Sequence, residues 1–423
     1  MKEPLYKKKA IISWCIFDWA NSAFPTVIIT FVFASYYSEN IAKTSETGMA
    51  EWGWMLSLSS FCVAFLGPAF GALADHTGNK KTWLLIFTLL CIVTCISLWK
   101  IRPNEDFVFL ALCLVGFGNF SFEMGMIFYN ALLINISPTK DLGRLSGLGW
   151  ALGYFGGLSC LGLILIGFIE NNSSLLNLDH DTAEHIRITG PIVGLWMTCF
   201  SVPLFLWVPD NIAPNKVIIS YKRGLKGLKL IFNNIKRSHS IFEFLIARMI
   251  YNDGLNTLFA LGGIYAAGTF GFNFSELIIF GILINISAGL GSGIYAWVDK
   301  WIETNQTIII CLVSLIALTS LLLIVESKKS FWLIGVTLGL FIGPIQPASR
   351  AIMAKLTRKK QVTSMFGFYA MSGKVTAFLG PALLSTMTTL FDSQRIGMSS
   401  ILIFFIIGLL LFLKFDRNFK RVY

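Results

Sequence analysis

Apolar runs long enough to cross a lipid bilayer recur along the whole of this 423-residue chain. A membrane-spanning helix needs about 20 consecutive apolar residues. Only 13% of the residues are Asp, Glu, Lys or Arg, about half the share of soluble domains, which excludes an ordinary cytosolic enzyme. We therefore predict an all-α polytopic membrane protein. Its twelve predicted spans lie near residues 11–37, 54–74, 83–100, 107–133, 146–169, 189–209, 241–267, 276–298, 306–325, 331–354, 363–390 and 397–415.

The basic residues between these runs indicate how the chain is oriented. Lys and Arg concentrate in cytoplasmic loops, and 24 of the 34 fall on the side that carries both chain ends. We therefore expect both termini in the cytoplasm, with the protein in a bacterial cytoplasmic (inner) membrane. The net charge of +11 reflects this enrichment of Lys and Arg in cytoplasmic loops. We expect no nucleic-acid partner, because the charge does not form one soluble basic face.

The longest predicted cytoplasmic segment, 210–240, separates spans six and seven. It holds seven Lys and Arg residues, and cationic and apolar residues alternate from Gly224 to Phe232, as in a helix that lies on a membrane surface. We interpret it as a basic linker on anionic lipid, with a regulatory site as the alternative. The linker divides the chain into an N-terminal six-helix half, 1–209, and a C-terminal half, 241–423.

Three pairs of matching positions, in the same order along the chain, indicate an internal repeat. The pattern D-x-x-N-[ST]-x-F occurs from Asp18 to Phe24 and again from Asp253 to Phe259, 235 residues later. The other matches are Gly67…Asp75 with Gly291…Asp299, offset by 224, and Asn130…Gly147 with Arg350…Gly367, offset by 220. The small drift of the offsets is what loops of unequal length produce, so we predict two six-helix halves with pseudo-symmetry.

The loop after span two, GALADHTGNKK at 71–81, resembles the cytoplasmic loop motif of the major facilitator superfamily. Four further strings are similar to the branch related to the autophagy-linked vacuolar amino-acid effluxer. They are DWANSAF at 18–24, FYNALL at 128–133, GRLSGLGW at 143–150 and FGFYAMSGK at 366–374. The resemblance implies the major facilitator fold, alternating access, and a central path lined by spans one, four, seven and ten.

The resemblance also implies a gate at the cytoplasmic face. In the superfamily, the aspartate that corresponds to Asp75 docks on the positive N-terminal end of span eleven, here near Thr363 and Ser364. The internal repeat implies that Asp299 docks in the same way at the start of span five, near Ser146. We assign the gating role to Gly71, Asp75, Gly78, Arg144 and Asp299, where the two glycines permit a tight turn. The alternative is a turn that is simply solvated.

Six of the ionisable residues inside predicted spans stand out, since such a group costs about 2.5–3.5 kcal/mol at mid-bilayer unless it faces water or a partner. They are Asp18, Glu123, Arg248, Asp253, Arg350 and Lys374. Helical spacing and the repeat add neighbouring amides, namely Asn21, Asn119, Asn130, Asn252, Asn256 and Gln346. We predict that this set binds substrate or couples protons, and three acids with three bases would suit a zwitterion. The alternative is a set of ion pairs that only hold the helices together.

We expect a secondary active transporter for a small solute, an amino acid or a similar zwitterion by resemblance. If protons drive it, Glu123 and Asp253 are the first candidates for their carriers. We expect no enzymatic activity, catalytic residue, cofactor or metal, and a monomer whose partners are the solute, lipids and, in that case, protons. An exporter of drug-like or amphipathic compounds, which 37 Phe residues would suit, and a membrane scaffold or lipid-acting protein stay open as alternatives.

Overall fold

The computed structural model of the protein describes residues 5–169, 178–210 and 239–422. Every regular element in these ranges is helical. Ten helices are long and apolar enough to cross a membrane: Lys8–Ile41, Ser45–Thr77, Lys80–Lys100, Glu105–Ile136, Thr139–Ile169, Glu184–Trp207, Ser275–Val298, Thr304–Ile324, Lys328–Leu356 and Gln394–Lys420. They correspond to spans one to six, eight to ten and twelve, and the predicted all-α membrane fold is confirmed.

Predicted spans seven and eleven are not among these ten helices, each for a different reason. Span seven is the helix His239–Phe270, whose charged residues lower its apolar character. Span eleven is two helices, Val362–Ser372 and Leu379–Phe391, separated by turns over 373–378. The apolar run predicted near 363–390 is therefore not one uninterrupted helix, because the backbone turns where Gly373 removes the side-chain preference for helix.

The predicted basic linker is mostly outside the structure. Residues 211–238, which include the amphipathic stretch from Gly224 to Phe232, lie outside the described residues. Its interpretation as a linker on anionic lipid stays a prediction.

The chain forms two compact units, of which the first comprises residues 1–66, 77–136 and 152–216. Spans three and four pack along each other, and span six packs on spans one and three. Stacked rings fill the contact between spans three and four, where the centroid of Phe128 lies 5.7 Å from that of Phe87 and 6.1 Å from that of Trp83. Trp14 of span one stacks on Tyr129 at 4.6 Å. Aromatic packing therefore fixes span four against both of its neighbours.

The second unit comprises residues 67–76, 137–151 and 217–423. Its strongest contacts join spans seven and twelve, eight and ten, and nine and ten. Spans eight and ten approach closely because glycine faces backbone on each side, Gly291 against Leu340 and Gly343 against Ala288. The unit also contains the end of span two and the start of span five. The predicted division into halves at 209 and 241 stays a prediction.

Candidate functional site

Arg248 in span seven is held by the first helix of span eleven. Its side chain is 6% exposed, and Nη1 donates to the carbonyl oxygen of Tyr369 at 2.7 Å and to Oγ of Ser372 at 2.9 Å. The guanidinium carbon lies 3.5 Å from the centroid of the Tyr369 ring, a cation–π contact. Nε is buried without a hydrogen-bond partner, and no carboxylate among the described residues forms an ion pair with Arg248. The part of the chain that the structure describes therefore supplies no counter-ion for this buried cation.

Three amide side chains surround the point where span eleven breaks. The carbonyl oxygen of Gly373 accepts from Nδ2 of Asn252 at 3.3 Å and, more weakly, from Nδ2 of Asn256 at 3.5 Å. Nε2 of Gln346 in span ten donates to Oδ1 of Asn252 at 3.0 Å. Because a broken helix frees backbone carbonyls that must be satisfied in the membrane, the amides stabilise the break. We call Arg248, Asn252, Asn256, Gln346 and Gly373 the Arg248 cluster.

Asp253 lies five residues beyond Arg248 on span seven, which is about 1.4 helical turns. Its side chain is fully buried, and neither carboxylate oxygen has a hydrogen-bond partner among the described residues. The hydroxyl of Thr376, in the break of span eleven, is likewise buried without a hydrogen-bond partner among the described residues. A buried carboxylate in this state needs a proton or a cation to offset the loss of hydration.

The first unit places its predicted site residues on spans one and four. Asn21 is 5% exposed and Asn119 is 7% exposed; their Nδ2 atoms donate to Sδ of Met126 and to Oγ of Ser59, each at 2.9 Å. Asp18 and Asn130 are buried as well, and Glu123 is half-buried. Asn21 and Asn119 are thus hydrogen-bonded within this unit, and the part of these residues in solute binding stays a prediction.

Asp75 binds the N-terminal end of span eleven, as the resemblance implied. Its carboxylate accepts from the backbone N–H of Thr363 at 3.0 Å, and from the N–H and hydroxyl of Ser364 at 2.8 and 2.6 Å. Gly71 lies directly against the backbone of the same two residues, where a β-carbon would collide. A helix N-terminus offers free N–H groups and partial positive charge, which explains why a carboxylate lies there.

The repeat-related residue Asp299 makes the corresponding approach to span five. Its carboxylate lies against Gly143, and Gly143 corresponds to Thr363 at the repeat offset of 220. We expected Asp299 near Ser146; the structure shows its contact at Gly143. Gly147 packs on Tyr295 and Ala296 just as Gly367 packs on Gly67 and Pro68. Both repeat-related contacts therefore exist within the second unit.

The other predicted gating residues have varied surroundings. Gly78 has φ 72°, the left-handed conformation expected for the turn after span two. Arg144 is exposed and makes no hydrogen bond or ion pair with the described residues.

Arg350, predicted to bind solute, is 1% exposed, and its Nε and Nη2 donate to Oγ and O of Ser146 at 2.7 and 2.8 Å. These contacts tie span ten to span five.

Sequence reasoning did not single out Tyr369, Ser372 and Thr376, which form the span-eleven side of the site. The first two belong to the FGFYAMSGK string, which was recognised as a family string without roles for its members. Lys374 of the same string was predicted to be functional, and it lies half-buried in the break of span eleven. The glycine inside an apolar run was the one available signal that the helix is interrupted there.

Solved structures of the same fold are transporters. The human organic anion transporter MFSD10 superposes with a TM-score of 0.75 at 14% identity, covering 97% of this chain and 100% of that one. FucP, a major facilitator superfamily transporter in the outward conformation, gives 0.75 at 10% identity, covering 96% and 98%. At these identities the likeness shows the fold alone. The helical fold of the described residues is that of the major facilitator superfamily structures.

Sequence comparison identifies the branch. The family model "Vacuole effluxer Atg22 like" matches residues 53–136 and 135–422, and the chain belongs to this family. It is 26% identical over 406 residues to the uncharacterized MFS-type transporter YxiO of Bacillus subtilis (strain 168), covering 94% of this chain and 93% of the relative. Autophagy-related protein 22 of Cryptococcus neoformans is 23% identical over 285 residues, covering 62% of this chain and 48% of that protein. The protein is thus an integral membrane transporter of the MFS type.

Proposed function

We propose that this transporter moves a small zwitterion, such as an amino acid, by alternating access, and that the Arg248 cluster binds the carboxylate of the solute. The supporting observation is the buried guanidinium that has no carboxylate partner among the described residues. Arginine suits this role because its planar donors match a carboxylate. Asp253, about 7.5 Å further along the helix axis, would face the ammonium group.

A thermal-shift screen of the purified protein in detergent tests this binding. The panel contains amino acids, dipeptides, nucleosides and organic cations, and each compound that stabilises the protein is titrated against Arg248→Lys. We expect one class of zwitterion to raise the melting temperature, and Arg248→Lys to weaken its binding at least about tenfold, since a bidentate site does not accept lysine. Arg358→Gln is the matched control, because Arg358 is exposed and outside the cluster. Binding that is equal in both variants would contradict the proposal.

Proton coupling is the finer part of the proposal, and Asp253 carries it in the second unit. A buried carboxylate that has no hydrogen-bond donor among the described residues is stabilised by binding a proton. Glu123, half-buried on span four, is the candidate in the first unit. In sealed proteoliposomes an imposed pH gradient should drive uptake of the solute. Asp253→Asn should abolish that acceleration even at solute concentrations that offset its weaker binding of the ammonium group. A rate of uptake that is the same with and without the pH gradient would exclude proton coupling.

The same assays separate the alternatives. An exporter of drug-like compounds should show competition by many unrelated amphipathic molecules, whereas a zwitterion carrier should show competition within one class. A scaffold should keep its role when Glu123, Arg248 and Asp253 are neutralised together, whereas a transporter should lose uptake.

We further propose that both termini face the cytoplasm of a bacterial inner membrane and that the protein is a monomer. The support is the distribution of 24 Lys and Arg on the side of the termini against 7 on the other. Cysteines introduced at Arg358 and at Lys329 should differ in labelling by an impermeant maleimide in intact cells, with only the second labelled. The mass of the detergent-solubilised particle by light scattering checks the monomer.

A further inference from the structure

A cavity of about 610 Å³ lies in the second unit, at the predicted cytoplasmic ends of spans eight, nine, ten and twelve. Four lysines line it, Lys140, Lys300, Lys355 and Lys420, together with the acids Asp299 and Glu303. The cavity is separate from the Arg248 cluster, none of whose members lines it. The proposed solute site therefore does not account for this cavity.

The charges in this cavity are not balanced. Lys420 pairs with Asp416 at 3.1 Å and with Glu303 at 3.6 Å, so this lysine and the two acids form a set of their own. Lys140 and Lys300 are exposed and form no hydrogen bond or ion pair with the described residues. Nζ of Lys355 donates to Oγ1 of Thr304 at 2.6 Å and forms no ion pair with a described residue. Within the described ranges, three ammonium groups thus lack a paired carboxylate.

The remaining acid does not neutralise them. Asp299 accepts a hydrogen bond from the Thr304 hydroxyl at 3.1 Å and lies against Gly143 at the start of span five. It forms no ion pair with a lysine of the cavity within 4.0 Å. Span nine begins at Thr304, and no side chain caps its N-terminal N–H groups. These N–H groups add partial positive charge to the same wall.

Two tryptophans place this cavity at the level of lipid headgroups. Trp301 lines it, and Trp297 lies one turn earlier with its ring centroid 4.6 Å from that of Trp301. Each is 65% exposed, as are tryptophans of the interfacial aromatic belts of membrane proteins. A ligand that enters here can therefore keep acyl chains in the bilayer while its polar group reaches the lysines.

We propose that this cavity binds a phosphate group, and that the phosphate is carried by the headgroup of an anionic phospholipid. Phosphate suits the site because lysine ammonium groups and free helix N–H groups both bind it. Basic pockets between membrane helices on the cytoplasmic side accept anionic headgroups for the same reason. The bound headgroup would lie beside Asp299, so anionic lipid would act on the contact between spans five and eight.

Native mass spectrometry of the full-length protein tests the proposal with two lipids, phosphatidylglycerol and phosphatidylcholine. The variant is Lys140→Gln with Lys300→Gln, which removes two exposed charges and no internal contact. The matched control is Lys359→Gln with Lys360→Gln, two exposed lysines on the same predicted face that do not line the cavity. A thermal-shift titration with inorganic phosphate is run in parallel to detect a soluble ligand.

We expect phosphatidylglycerol to bind the protein and the control equally, and the cavity variant about tenfold or more weakly, with little phosphatidylcholine on any of them. Stabilisation by inorganic phosphate that is lost in the cavity variant, without a phosphatidylglycerol preference, would support phosphate chemistry and assign a soluble source. Equal loss in both variants would show a non-specific surface effect and overturn the proposal, as would unchanged binding in the cavity variant. None of these outcomes depends on the transport assays.

Discussion

Replacing Asp75 by Asn should open the contact between spans two and eleven. The carboxylate accepts three hydrogen bonds, two from Ser364 on one oxygen and one from Thr363 on the other. Asparagine keeps one acceptor and places an amide NH₂ where the other oxygen stood, so at least one donor loses its partner. Hydrogen bonds to charged groups contribute about 1.5–3 kcal/mol. Since Asp75 is half-buried, we expect a loss of about 2 kcal/mol, or about 30-fold in an equilibrium constant.

Hydrogen–deuterium exchange of the purified protein measures this loss where it occurs. The N–H groups of Thr363 and Ser364 lie in the first turn of a helix and have no partner within that helix, so their protection depends on Asp75. Peptides that cover residues 357–372 should exchange about 30-fold faster at these two positions in Asp75→Asn. Asp141→Asn removes a charge from the same predicted face and should leave exchange unchanged.

Two outcomes would refute this reasoning. If the N–H groups of Thr363 and Ser364 exchange at the same rate in Asp75→Asn as in the wild type, the carboxylate does not hold the helix end. Faster exchange along the whole chain, including spans three and four, would show general unfolding. Only a local change in the span-eleven peptides agrees with a latch.

Three further substitutions test the packing, each by the melting temperature in detergent. Gly343→Ala should destabilise the protein by about 1–3 kcal/mol, because its β-carbon would meet the backbone of Ala288; an unchanged melting temperature would contradict the close approach of spans eight and ten. Tyr129→Phe should cost about 1 kcal/mol, since its hydroxyl donates to the carbonyl of Trp14 at 2.9 Å. Glu276→Gln should leave the melting temperature nearly unchanged, because the 2.6 Å ion pair of Glu276 with Lys328 is partly exposed, and a clear loss would mean that this pair has a structural role.

The contact of Asp75 with span eleven was predicted through the family resemblance, because the motif at 71–81 is recognisable in the sequence. The internal repeat then gave Asp299 as a second residue of the same kind. The offset also relates Thr363 to Gly143, where the Asp299 carboxylate lies, although the prediction named Ser146. The resemblance and the repeat together identified both sites to within one helical turn.

The partners of Arg248 could not be predicted in the same way. Helical periodicity gives the face on which a residue lies, but it does not say which helix packs against that face. Tyr369 is 121 positions from Arg248 in the chain, and its aromatic ring looks like any other core residue in an apolar run. The break at Gly373 was hidden for a related reason, since a glycine in a membrane helix more often permits close packing. Only the structure shows that the carbonyl oxygen of Gly373 accepts hydrogen bonds from two asparagine side chains.

The two repeat-related contacts have the same layout and different chemistry. At span eleven, Thr363 and Ser364 give Asp75 two backbone donors and a hydroxyl. At span five the equivalent positions are Gly143 and Arg144, which bring no hydroxyl, and Asp299 takes its hydrogen bond from Thr304 instead. Arg350 compensates at this second contact by donating to Ser146. The span-two contact thus rests on one carboxylate, and the span-five contact on an arginine from a third helix. Neutralising Asp75 should therefore weaken its contact far more than neutralising Asp299 weakens the other.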